Sequence, residues 1–163
     1  MPATVAEDLE ATLSRILAAR ERQISLRNRR VEQLTQLLDY LRVRLSTFLT
    51  TTDPISGTRL LDVGADEVRG QGGLAIIVAA FDGSRLKIAV DALGRYSFAS
   101  HPEALGDVGT ILDVRVSPDF TSAVYDFVPA SLESGTLTGD IDTLVLALLD
   151  HAALTIEAAT EQP

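Results

Sequence analysis

Between residues 13 and 48 apolar side chains return in steps of four and three: Leu13, Leu17, Ile24, Val31, Leu34, Leu38, Leu41, Leu45 and Phe48. Arg20 and Arg27 alone interrupt the row. A seven-residue spacing held over about five heptads drifts around a straight α-helix unless the helix supercoils against a partner. The pattern therefore predicts a coiled coil, with these nine residues as its oligomerisation seam. Ile16, Leu37 and Leu49 fall beside the seam and widen it, as expected for a bundle of several helices or for a helix that docks on the rest of its own chain. A helix over residues 3–50 would be roughly 70 Å long at 1.5 Å per residue, longer than a small domain is wide.

The predicted helix starts with Thr4 and Glu7 at capping-box spacing and ends at Thr50-Thr51-Thr52-Asp53-Pro54. β-branched residues weaken the helix there, and the residue before proline is driven out of helical backbone. Residues 1–52 thus form a coiled-coil oligomerisation helix, and 53–163 an α+β globular domain. In the second segment the period falls from seven to two. Strands are expected at 59–63, 73–81, 85–91, 95–99, 110–117 and 122–128, with hairpin turns at Asp82-Gly83-Ser84 and Leu93-Gly94. The run 73–81 is apolar throughout and reads as central, needing cover on both faces. Residues 129–139 read as a loop or ragged edge, and Asp140 as the cap of an amphipathic helix over 140–159. The expected fold class is α+β: a long N-terminal helix, a five- or six-stranded antiparallel meander, and a C-terminal helix packed on the sheet.

Charge divides the chain in the same place. Residues 1–50 carry eight arginines against six acidic residues, a net +2, whereas residues 51–163 carry six basic and seventeen acidic residues, a net −11. A basic collar precedes an acidic body. Arg15, Arg22 and Arg29 share the outward heptad position and, with Arg30, form a stripe that could contact anions or nucleic acid. Without nearby aromatic residues to stack bases, the stripe reads first as a solvated helix face.

Catalytic chemistry finds no candidate residue. There is no cysteine, no serine in a GxSxG turn, and no carboxylate at metal-site spacing from His101 or His151. The segment 64–73 is glycine-rich, with Asp66, Glu67, Arg69 and Gly70 as residues of a candidate ligand loop, but it lacks the lysine and spacing of a phosphate-binding loop. Asp62, Asp66 and Glu67 are too few for a calcium site. No metal or cofactor is expected. No stretch reaches 18 uninterrupted apolar residues and the N-terminus is acidic, so a cytoplasmic location away from membranes is expected. The sequence points to a non-enzymatic, homo-oligomeric adaptor or scaffold presenting its acidic domain to a protein partner. Two other readings are a small-molecule sensory domain with a coiled-coil relay, and nucleic-acid binding through the arginines.

Overall fold

The computed structural model describes residues 4–68, 72–105, 109–131 and 135–161. Helix α1 (Val5–Arg44) opens with the expected capping box, the Thr4 and Glu7 side chains each accepting the other's backbone N–H. It breaks at Leu45, and a single further turn, α2 (Ser46–Thr50), carries the chain to the predicted stop. Among the described residues seven strands follow: β1 (Leu61–Val68), β2 (Gly73–Ala80), β3 (Arg85–Val90), β4 (Tyr96–His101), β5 (Gly109–Val116), β6 (Ala123–Pro129) and β7 (Leu137–Asp140). Helix α3 (Ile141–Glu161) closes the chain, and the Asp140 carboxylate accepts the backbone N–H of Asp142 at its start.

The strands form two antiparallel sheets rather than one meander of five or six strands. One has the order β1-β2-β3-β4, the other β5-β6-β7. The split falls between β4 and β5, which do not pair, and two elements also depart from the periodicity. β7 lies in a stretch of small and polar residues whose backbone pairs with β6 from Val124–Asp140 to Phe127–Leu137. Ladder hydrogen bonds need no apolar side chains, so an edge strand can escape the alternation test. β1 also runs five residues past its predicted end, because all eight residues of β2 pair with it, from Leu61–Ala80 to Val68–Gly73. Asp66 and Glu67 are therefore strand residues opposite Ala75 and Leu74, not part of a ligand loop; Arg69 and Gly70 lie outside the described residues.

Both hairpin turns form as expected. Gly83 and Gly94 take positive φ (92° and 83°), backbone that costs glycine nothing. At Gly94 a second constraint applies, since a Cβ would stand 2.9 Å from the Arg27 nitrogen. The β3–β4 turn thus abuts the backbone of α1.

A single apolar cluster joins both helices to both sheets. From the four-stranded sheet it takes Leu61, Val63, Ile76, Val78, Leu86, Ile88, Val90 and Tyr96, residues that the register places on one face. Ile111, Val114, Tyr125 and Phe127 come from the second sheet, and Ile141, Leu144, Val145 and Leu148 from α3. The other face of β2 carries Ala75, Ile77 and Ala79 and stays outside the cluster. On that face Ala75 and its cross-strand neighbour Ala89 are nevertheless buried, and Ile77 and Ala79 are half-buried.

The remaining members of the cluster decide the architecture. Leu34, Leu37, Leu38, Tyr40, Leu41 and Leu45 of the long helix are at most 8% exposed. The second half of the heptad row is thus core, packed on the chain's own sheets, and not a seam between chains. We expect Leu34→Ala to lower unfolding free energy by about 2–5 kcal/mol, the cost of a leucine-sized cavity in a packed interior. Chemical denaturation checks this; a loss below about 1 kcal/mol would mean that this half of the helix is not buried.

Candidate self-association surface

The first half of α1 has a different environment. Val5, Leu9, Leu13, Ile16, Leu17 and Ile24 are between 46 and 76% exposed, and residues 5–25 extend from the body as an arm of about 32 Å at 1.5 Å per residue. Of the nine predicted seam residues, Leu13, Leu17 and Ile24 lie on the arm and Val31 is half-buried at its base. Leu34, Leu38, Leu41 and Leu45 are in the core, and Phe48, in α2, is 39% exposed. One helical stripe thus serves two surroundings, apolar protein for its second half and water for its first.

A polar clamp fixes where the arm leaves the body. Arg30 donates through Nη1 to the Gly94 carbonyl (2.7 Å) and through Nη2 to the Leu112 carbonyl (2.8 Å). Its guanidinium also lies 4.7 Å above the centre of the Tyr96 ring. The Tyr96 hydroxyl in turn donates to Gln33 Oε1 at 2.6 Å. Burial raises the Tyr96 pKa well above its ordinary value, and the Asp113 carboxylate adds to this while Arg30 pulls the other way. Among the described residues, Arg30 Nε and Asp113 Oδ1 are buried atoms without hydrogen-bond partners. Arg30 is therefore committed to the fold, apart from the other arginines of its predicted stripe.

Arg15, Arg22 and Arg29 are exposed along the arm and its base. Arg15 and Arg22 flank a shallow surface made with Thr12, Ile16, Ala18 and Ala19. Arg20, in the seam, donates to Gln23 Oε1 of its own helix at 2.9 Å. Arg27 lies against Gly72 and Gly94 at the junction with the body.

The far end of α1 is tied down by a second polar cluster. Tyr40 donates its hydroxyl proton to the Asp142 carboxylate, whose oxygens lie 2.9 and 3.0 Å away, and Arg44 Nη2 reaches the same group at 3.0 Å. Burial and then the hydrogen bond to Asp142 push the Tyr40 pKa up to about 12. The heptad pattern passed over these residues because Tyr40 lies off the seam. An aromatic residue at an otherwise polar helix position was the available signal.

Asp66 and Glu67 are exposed on β1, His101 is exposed at the end of β4, and His151 is half-buried on α3. Among the described residues no three His, Asp or Glu side chains gather as a metal site would require. Between the sheets and α3, Phe98, Ile111, Tyr125, Phe127 and Leu144 line an apolar cavity of about 10 Å³, room for one water at most. Helix α3 is apolar enough by length and composition to cross a membrane, with a mean hydropathy of 1.4 over its best window; Ile141, Leu144, Val145, Leu148 and Ala152 pack it into the core, while Leu146, Leu154 and Ile156 face out.

Two outcomes follow from the polar clusters. Arg30→Ala removes two charged hydrogen bonds and the ring contact, and should lower stability by about 2 kcal/mol. Arg30→Lys should recover little of it, since one ammonium does not match the guanidinium fork; full stability in either variant would count against the clamp. The second outcome is alkaline. A tyrosine whose folded pKa is raised adds stability that is fully present below its unfolded value of 10.0 and is lost as pH rises through about 12. With one lysine and no cysteine in the chain, tyrosines dominate titration in that window. Unfolding midpoints should fall between pH 10 and 12, less steeply in Tyr40→Phe; an equal slope in both proteins would show that Tyr40 is not responsible.

No protein-family model matches this chain, and neither the curated proteins nor the solved structures contain a significant match to it.

Proposed function

We propose that this chain is a non-enzymatic, homo-oligomeric adaptor that self-associates through the arm of α1 and presents its acidic α+β domain to a protein partner. The observation that carries this reading is the apolar stripe Val5, Leu9, Leu13, Ile16, Leu17 and Ile24, left in water on a helix whose continuing row is core.

The energetics run in one direction. Most helical stability in proteins comes from packing an apolar face rather than from helix propensity. Each Val, Leu or Ile side chain that goes from exposed to buried gains about 1.5–3 kcal/mol before ordering costs. Six such positions on each copy, arranged as one stripe, are enough to hold a short coil together. The two charge regions support the second part of the proposal. A net −11 over residues 51–163 suits a basic partner surface and keeps the bodies of associated copies apart.

Replacing Leu13 and Leu17 together by Asp tests self-association without touching the core. Light scattering coupled to size exclusion should show the parent protein as an oligomer and the double variant as a single chain with an unchanged body by circular dichroism. Equal masses for the two proteins would remove the arm as the association surface. Leu34→Asp makes the contrast, since it buries a charge and should unfold the chain outright.

A further inference from the structure

Resting on that self-association, the geometry points to one particular arrangement: two arms pair antiparallel, as a two-fold dimer, with the two bodies at opposite ends. We infer this from where each chain's own domain lies relative to its seam.

Beyond Arg27 the seam side of α1 is full. Leu34, Leu38, Leu41 and Leu45 continue the row and are buried against the chain's own sheets. The β3–β4 turn meets the helix backbone at Leu26 and Arg27 through Gly94. A parallel partner packed on Leu13 and Leu17 would have to continue along this same side into volume that the first chain's body occupies. Two parallel helices would therefore have to splay apart at residue 26, and the clamp at Arg30 holds each helix to its own body just there. An antiparallel partner meets no such obstacle along the arm, because its body lies past Thr4, outside the span of α1.

Charge along the arm supports the same orientation. The first turns carry Glu7, Asp8 and Glu10, and the rest of the arm carries Arg15, Arg20 and Arg22 with only Glu21. Antiparallel pairing about a two-fold axis near residue 15 sets Leu13 opposite the partner's Leu17 and Glu10 opposite the partner's Arg20. Arg20, the one cation within the arm's seam, then meets a carboxylate, twice by symmetry. Parallel pairing in register would set Arg20 against Arg20 and Glu10 against Glu10 inside a short seam, where like charges are desolvated and repel. The occupant that fits this stripe is therefore a second copy running the other way, an arrangement that makes the dimer a spacer with one acidic domain at each end.

The chain has no cysteine, so Ser25→Cys introduces a single labelling site, exposed and off the seam at the base of the arm. Nitroxide labels there should lie about 35 Å apart in the antiparallel dimer, because residue 25 of one chain is level with residue 5 of the other, about 30 Å along the axis. In a parallel dimer they would be about 20 Å apart, across two helix widths. Pulsed electron paramagnetic resonance gives the distance, and light scattering on the same labelled sample gives the mass. A mass of two chains with the longer distance supports the inference. Two chains at the shorter distance overturn the orientation and leave self-association standing; three or more chains overturn the two-fold pairing; a single chain overturns the self-association on which both rest.

Discussion

The structure depends on one burial, that of Leu34, Leu37, Leu38, Tyr40, Leu41 and Leu45 against the apolar faces of both sheets. These side chains belong to the most regular element of the chain, yet they are core in the ordinary sense, enclosed by strands distant in sequence. Because they come from a continuous helix, their position fixes the direction of everything N-terminal to them. A helix cannot bend away from its own packing without a break, and α1 has none before Leu45. The arm is thus aimed by the core.

Polar contacts refine that aim. Arg30, stacked on Tyr96 and donating to two carbonyls, marks the point where packing stops and projection begins. Tyr40 and Arg44, converging on Asp142, tie the end of the long helix to the start of the last one. Between these two anchors lie about four turns of helix, and the body holds them as a rigid unit.

Much of this was legible in the residues. The Thr4–Glu7 cap, the stop before Pro54, the turns at Gly83 and Gly94, five of the seven strands nearly to their ends, and the start of α3 at Asp140 all rest on local backbone preference. What escaped was decided elsewhere. β7 is held by pairing with β6, and its Leu-Thr-Gly-Asp sequence carries no apolar alternation. The extension of β1 through Asp66 and Glu67 is imposed by the length of β2. Both depend on a partner strand, and a partner's reach is not written in the segment itself. Of the candidate site, the seam residues were named from their spacing, but the division of that seam at about residue 27 was not, because heptad spacing is equally good for a helix packed on a helix and a helix packed on a sheet.

Residue spacing and charge alone show one long helix over about residues 3–50 with one apolar stripe, an antiparallel α+β body after it, and an acidic body (net −11 over 51–163) behind a helical segment of net +2 (residues 1–50). Periodicity, caps and charge are properties of neighbours along the chain, so they can be read there. Only the tertiary structure decided which part of the stripe is spent on the chain's own core and which part is left over. That division follows from how far a sheet four strands wide can cover a helix some 60 Å long: the sheet ends, the helix continues, and its apolar face goes on into solvent.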